Sequence, residues 1–542
     1  MADVAAIANN EGQGRDGLRT ADVRVLGYGL AARLEKLFFL LLALCPFAMG
    51  AVYAVVNMMG GWTLFSAERS FEFYGIMQYG FNFLSGVFGA TAIFLSAWFV
   101  SKRVSAEYQS RRTLLFDLLW IFLLSFGLRA CFFLVFGREV GNTMDPLWAW
   151  NRACGISGSS RSHLFSPAWM NYALYMKGFV FVFGSRFGLF QLMGTIWGGV
   201  GGMAVVLMAH EISRSRKAAL FAGLLYALSP NGIVYMSAGA TSEHVAAPLF
   251  CLAAWLFARG LVRHDMTTGR LLASSAVSGF ILGLGDAIKP FFPVFLPAAL
   301  VLSGCLIAAA DAGCRLKQAF RIGVAVALLS IVRCLVCGTV TVASERTFDC
   351  DLDRSDSFYH FLCVGLDRCG EGMIARSQHA WTYVGKRLAG ISRDESFSAT
   401  IGPIMEEWKG HWGNVPEFLC KKTIWSWQDD VQGFVYYRLN MLHGNASCSA
   451  TARCMPWICR HGASVALVFY GILMTFACLF AVKSALTASV AGQQRRMFPG
   501  LLIFGFFCLL LLSESQGRYK CIVMPEIIVF AACALKREEH AT

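Results

Sequence analysis

The chain has 542 residues, 56% hydrophobic, 14% aromatic and only 15% charged, with a formal net charge of +13 and a mean hydropathy of +0.54. Soluble domains carry about 25% charged and about 45–50% apolar residues, so a soluble multidomain enzyme is excluded, and the aromatic content excludes a disordered coil. The 53 glycines and 13 prolines follow no tripeptide period, which removes a fibrous chain.

In chain order, residues 1–36 read as a polar cytoplasmic tail without a cleavable signal peptide, because the first apolar run is long enough to stay in a bilayer. Residues 37–343 then hold nine expected spans: Leu37–Met58, Phe81–Val100, Leu114–Phe136, Phe187–Ala209, Ala218–Met236, Val245–Leu261, Leu271–Gly285, Phe292–Ala310 and Phe320–Ala343. Three more, Ala463–Leu486, Phe498–Leu512 and Cys521–Leu535, occupy 463–537, before a short tail at 538–542. Two connections are too long to be simple turns. The outer loop 137–186 contains Pro167–Gly184, where Trp169, Tyr172, Tyr175, Met176 and Phe179 recur at helical spacing, as in a helix lying along the interface. The segment 344–462 is long enough to be a small extracytoplasmic domain.

Charge placement orients this arrangement. The segments expected inside carry Arg15, Arg19, Arg24, Arg33 and Lys36, then Lys102, Arg103, Arg111 and Arg112, then Arg214, Arg216 and Lys217. They continue with Arg259, Arg263 and Arg270, with Arg315 and Lys317, with Arg495 and Arg496, and with Lys536 and Arg537. Basic residues retained on one side place both termini in the cytoplasm. They lie between apolar runs, not along one amphipathic face, so the net charge reads as orientation and not as a nucleic-acid surface. The expected fold is an all-α integral membrane protein of about twelve transmembrane helices.

Of the 19 cysteines, Cys154, Cys350, Cys363, Cys369, Cys420, Cys448, Cys454 and Cys459 fall in the outer segments. An oxidising compartment favours disulfides among them. No two of these eight stand in Cys-x2-Cys spacing, so cysteine-based zinc ligation in the outer segments has no support from spacing.

Ionisable residues beside spans are costly, and here they gather on the outer side. Asp145 lies in the first long loop, Glu243 and His244 at the start of the sixth span, and Asp286 and Lys289 at the turn between the seventh and eighth. Glu514, Arg518, Tyr519 and Lys520 occupy the turn before the last span. The asymmetry points to a reaction centre at the outer membrane surface.

The same residues carry a family resemblance. Asp145, soon after the third span, resembles the acidic residue of the first extracytoplasmic loop in the GT-C superfamily of polyprenyl-phosphate-sugar-dependent glycosyltransferases. The nearest likeness is to bacterial glycosyltransferase family 39 proteins, relatives of the protein O-mannosyltransferases and the lipid A aminoarabinose transferase. Ala218–Leu228, Ser229-Pro230 and Thr241-Ser242-Glu243 are similar to the family's ALYP…SE region, and Gly283–Pro290 resembles its GLAxxxRP turn. His360-Phe361-Leu362 with Gly365-Leu366, then Lys421-Lys422 and Trp425, looks like the outer loop of a Gram-positive branch. Glu514–Tyr519 with Pro525 is similar to the closing E-x-Q-x-R-Y turn. Two positions depart from the pattern: Pro146 stands where an aromatic residue is usual, and Lys289 replaces the common Arg.

The resemblance implies inverting transfer of a sugar from a polyprenyl-phosphate donor to a cell-envelope glycan, lipid or protein acceptor. Such chemistry needs a base for the acceptor hydroxyl and positive charge for the departing phosphate. Asp145 is the candidate base, although Asp before Pro is also the pattern of an N-cap and first helical residue. Lys289 and Arg518 are candidates for the donor phosphate, against the ordinary behaviour of cations that snorkel at span ends. Glu243, His244, Asp286, Glu514 and Tyr519 are candidates for an acceptor or metal site, a divalent cation being one option and no cofactor being firmly indicated. The competing structural roles are a Lys289 partner for Asp286 one turn away and a helix cap for Glu243. Lys421, Lys422, Trp425 and Trp427 fit a solvated basic helix face with an aromatic core side better than a sugar-binding patch. Asn445-Ala446-Ser447 matches a glycosylation acceptor, a pattern common by chance. Besides a glycosyltransferase, two other classes stay open: a transporter or flippase of lipid-linked glycans, which should show paired repeats and midplane charges, and a membrane scaffold.

Overall fold

The computed structural model describes residues 33–56, 82–105, 107–108, 110–137, 144–156, 166–238, 241–262, 267–310, 312–352, 356–372, 377–427, 433–434, 437, 454–486, 490–514 and 517–534. Among them every regular element is a helix.

Local chemistry explains where these helices begin and break. Helix α1 (Arg33–Val55) widens to a π turn at Ala43–Ala48 around Pro46, whose ring nitrogen has no proton to donate. Helix α2 (Phe83–Lys102) starts at Asn82, whose side chain accepts from the Ser85 amide, and α3 (Arg111–Phe136) starts at Ser110, which accepts from Thr113. Next come α4 (Met144–Ala153), α5 (Pro167–Phe183) and α6 (Phe187–Ser213). Pro230 divides the following apolar run into α7 (Arg216–Ala227) and α8 (Pro230–Ala238), the two bent by 51°. Then follow α9 (Ser242–Val262), α10 (Thr268–Ile288), α11 (Phe292–Ala308) and the long α12 (Arg315–Phe348).

Four shorter helices, α13 (Asp356–Leu366), α14 (Gln378–Leu388), α15 (Arg393–Trp408) and α16 (Val415–Trp427), lie within 344–462. The chain closes with α17 (Cys454–Leu486), α18 (Val490–Leu512), a 3-10 turn at Gly517–Ile522 and α19 (Met524–Cys533).

Eight of these helices are long and apolar enough to cross a membrane: α1, α2, α3, α6, α9, α10, α12 and α17. The bent α7–α8 pair makes a ninth if it is one span. Each of the twelve apolar segments read from the sequence is mainly helical over its described residues, but α11, the Arg496–Leu512 part of α18, and α19 are shorter than a full crossing. The outward surface fits a lipid solvent: Phe88 is 73% exposed, Phe116 68% and Leu335 65%. A water-facing monomer rarely tolerates such contiguous apolar surface.

Close packing sets the register of the helices that carry the polar residues. Gly279 and Gly283 face α12, where a Cβ on Gly279 would stand 2.5 Å from the Leu329 carbonyl oxygen and one on Gly283 3.0 Å from that of Arg333. Two small residues four apart thus let α10 and α12 touch backbone to backbone. On the other side, Ser278 and Ser274 of α10 donate to Ala253 O and Leu256 O of α9, both at 2.8 Å. These contacts hold α9, α10 and α12 together along their middle turns.

Helix α5 differs from a simple interfacial helix. Tyr172 and Met176 are fully buried, and Asn171 donates to Ala287 O at 2.9 Å while accepting from Ser344 at 2.7 Å. Trp169, Tyr175 and Phe179 complete an apolar cluster with Trp148, Val245 and Ile288. The expected disulfides are also absent among the described residues: Cys154, Cys350, Cys363, Cys369, Cys420, Cys454 and Cys459 are not joined in disulfides, while Cys448 lies outside them. Cys363 and Cys459 instead fill apolar core as small hydrophobes.

Candidate functional site

Four of the residues singled out from sequence meet at one end of the bundle. Glu243, on the first turn of α9, is 2% exposed. Its Oε1 accepts from Lys289 Nζ at 2.8 Å, and Ser242 Oγ donates to its Oε2 at 3.3 Å. The Lys289 ammonium lies 4.0 Å from the centre of the Tyr519 ring, within cation–π range. Tyr519 in turn donates its hydroxyl proton to Glu514 Oε2 at 2.7 Å. Sequence separations of up to 276 residues, from 243 to 519, are thereby closed.

Lys289 follows the last residue of α10, where the helix ends at an extended backbone conformation before Pro290. That stop aims its side chain across to α9 and the 3-10 turn, not back along its own helix. Asp286 therefore does not pair with Lys289. Its Oδ1 accepts from the amides of Phe291 and Phe292 at 2.5 and 2.7 Å, capping the start of α11. Its other oxygen meets the Arg333 guanidinium of α12. Asp286 is thus a clamp that joins α10, α11 and α12.

His244 sits beside Glu243 and is 3% exposed. Its Nδ1 accepts from the Thr241 amide at 3.2 Å, so the neutral ring carries its proton on Nε2, a buried atom with no hydrogen-bond partner. Tyr235 meets the ring edge-on at 4.5 Å. Both residues line a small cavity of about 40 Å³, together with Arg129, Asn231, Met236 and Glu243. Water-sized room beside polar groups suits one or two bound waters.

Arg129 is the residue sequence reasoning passed over. It is fully buried in α3 and donates to Ser125 O at 3.0 Å, Ser125 Oγ at 2.7 Å, Tyr226 O at 3.2 Å and Ala227 O at 3.3 Å. The last two are carbonyls freed where α7 ends before Pro230, so the guanidinium satisfies the broken helix. Gly198 of α6 makes the room: a Cβ there would sit 2.2 Å from Arg129 Cδ. A lone Arg within an apolar span was the available signal.

The helices of 344–462 reach the same end. Lys422 of α16 is completely buried, contrary to the expected solvated basic face. Its Nζ donates to Gly365 O and Ser513 O, each at 2.7 Å, so it holds the backbone immediately before Glu514. Burial pulls its amine down to about 7, with the nearby Glu514 carboxylate opposing. Lys421 is the solvated member, paired with Glu371 and Glu417 at 3.2 Å, and Trp427 is buried. The Trp425 side chain lies outside the described residues.

Asp145 is the second residue of α4, and Arg518 lies in the 3-10 turn directly before Tyr519. The side chains of both lie outside the described residues. Helix α4 packs through Trp148 and Trp150 into the cluster that holds Val245 and Ile288, two residues from Glu243 and one from Lys289 respectively. Burial pushes the Tyr172 phenol of α5 well above its ordinary range, and the negative charge of Glu243 adds to the shift. Helices α4 and α5 therefore stand at the Glu243–Lys289 end.

No protein-family model and no curated protein matches the chain. Among solved structures, it is similar at 15% identity and a TM-score of 0.32 to the crystal structure of the Archaeoglobus fulgidus oligosaccharyltransferase in complex with zinc and sulfate. The alignment covers 74% of this chain and 53% of that one, so the chain spans about half the length of that enzyme. A superposition this loose carries no argument about fold or chemistry, and the functional reading rests on the chain's own residues.

Proposed function

We propose that this chain is a membrane glycosyltransferase that moves a sugar from a polyprenyl-phosphate donor to an acceptor hydroxyl at the outer face of the bilayer. The reading rests on one observation above the rest: Glu243, Lys289, Tyr519 and Glu514 form a continuous polar contact chain at one end of a largely apolar bundle. Lys289 has three N–H donors and spends one on Glu243, leaving donors for a phosphate oxygen. Arg518, adjacent to Tyr519, is the second cation for the departing phosphate, and its planar guanidinium suits two oxygens at once.

Asp145 is the base that takes the acceptor proton as the hydroxyl oxygen attacks the sugar's anomeric carbon. The bond from that carbon to the phosphate oxygen breaks as the new glycosidic bond forms, with inversion, and the polyprenyl phosphate leaves with the electron pair. The acceptor is a cell-envelope glycan, a lipid or a protein. Donor and enzyme share the bilayer, so no nucleotide-binding loop is required.

The test is incubation of the purified chain in lipid nanodiscs with radiolabelled polyprenyl-phosphate hexose, scored for sugar release or transfer. Turnover lost in Asp145→Asn and Lys289→Met, with folding retained, supports the enzyme. Intact donor moved across proteoliposome membranes without hydrolysis makes it a flippase instead.

A further inference from the structure

Apart from the Glu243–Lys289 contact, three helices of the 344–462 segment bring together a carboxylate, an imidazole and a second carboxylate. Asp367 follows the end of α13, His379 lies on the first turn of α14, and Glu407 on the last turn of α15. One ligand atom from each lies within 4.8 Å of the other two. His379 Nε2 and Glu407 Oε1 are 2.8 Å apart.

Two features set this group apart from an ordinary ion pair. Asp367 is 1% exposed and is fixed before any ligand arrives: Gly370 N donates to Oδ1 at 2.8 Å and Ser377 Oγ to Oδ2 at 2.5 Å. Each of its oxygens keeps a second lone pair. Such outer hydrogen bonds are what orient a carboxylate toward a metal. The second feature is Glu407 Oε2, a buried oxygen with no hydrogen-bond partner, on a partly exposed carboxylate that also meets the Cys369 thiol. A buried carboxylate oxygen left so is costly unless something positive meets it.

We propose that Asp367, His379 and Glu407 bind a divalent transition-metal ion of the zinc class, which ties α13, α14 and α15 together. An imidazole in the set favours zinc over magnesium or calcium, which prefer oxygen donors alone. Three protein ligands leave a fourth tetrahedral position for water or another donor. To bind the ion, the neutral His379 ring presents the Nε2 lone pair and carries its proton on Nδ1, and Nε2 and Glu407 Oε1 turn from each other to the ion. The sequence gives no warning of the set, because its members are 12 and 28 residues apart and contain no paired-ligand motif.

The experiment is titration of the chelator-stripped, detergent-purified full chain with Zn2+ by calorimetry, with bound metal counted by mass spectrometry after buffer exchange. The expected result is one Zn2+ per chain, with affinity reduced roughly tenfold or more in His379→Ala and again in Glu407→Gln. His411→Ala, an exposed histidine outside the group, should bind as the unaltered chain does. Absence of Zn2+ uptake by the unaltered chain, or undiminished uptake in both His379→Ala and Glu407→Gln, overturns the proposal. Metal content is read without any sugar transfer, so this inference stands or falls independently of the proposed activity.

Discussion

Lys289, just past the end of α10, donates to Glu243 on the first turn of α9 at 2.8 Å, with the Tyr519 ring 4.0 Å below its ammonium. The Glu243 side chain is 2% exposed and the Lys289 side chain 17%. Two opposite charges so placed are interdependent: removing one strands the other out of water. Lys289→Met is expected to destabilise the chain by about 3 kcal/mol, the lower end for breaking a buried pair. Glu243→Gln should cost somewhat less, because Lys289 retains access to solvent. The double variant should recover much of the loss, and a thermal-unfolding cycle in detergent measures the coupling. Strict additivity of the two single losses would show that the pair does not act as a unit.

The α10–α12 contact makes a sharper steric prediction. A methyl group on Gly279 meets the Leu329 carbonyl oxygen at 2.5 Å, a backbone atom that cannot swing aside. Gly279→Ala should therefore separate the helices and lower thermal stability by about 1–3 kcal/mol, the range for overpacking. Gly269, at the start of the same helix, has nothing within 4 Å of its added Cβ. Gly269→Ala is expected to be neutral or slightly stabilising through helix propensity. Equal effects at the two positions would contradict the close approach.

Asp286 joins three helices by two separable means, a cap and an ion pair. Asparagine keeps a capping oxygen but loses the negative charge opposite Arg333. Asp286→Asn should therefore be less damaging than Asp286→Ala, with the cap accounting for about 1 kcal/mol of the gap. Arg333→Leu should resemble Asp286→Asn in its effect on unfolding temperature. If alanine and asparagine are indistinguishable at 286, the amides of Phe291 and Phe292 do not depend on that side chain.

The helical, apolar character of the bundle was legible because it is written locally, in runs of hydrophobic residues long enough to match a bilayer. The break at Ser229-Pro230 hid inside one such run, since hydropathy averages over a proline that geometry cannot ignore. Among the polar candidates, Glu243, Lys289, Glu514 and Tyr519 converge, whereas Asp286 turns to Arg333 and a helix cap. Sequence spacing put Asp286 one turn from Lys289. It could not reveal that α10 ends there, which sends the two side chains in different directions. Lys422 was misread for a related reason. Its charged neighbour Lys421 is solvated, and a pair of lysines on one helix looks like a wet face until the position of the Ser513 carbonyl is known.

Lys422 also supplies a pH-dependent prediction. Its amine is buried and titrates near about 7, far below a lysine in the unfolded chain. Between those two values the unfolded state holds more protons than the folded one, so folding stability should rise with pH across that window. Below about pH 7 the ammonium is charged in both states and the burial penalty is felt in full. The neutral amine keeps two N–H donors, enough for Gly365 O and Ser513 O. From pH 7 to 9 this residue should add on the order of 2 kcal/mol, visible as a higher unfolding temperature in detergent. Lys422→Met removes that dependence, along with the hold on the backbone beside Glu514, whereas Lys421→Met, at a half-exposed position, leaves it intact. A pH slope unchanged in Lys422→Met would assign the effect to another group.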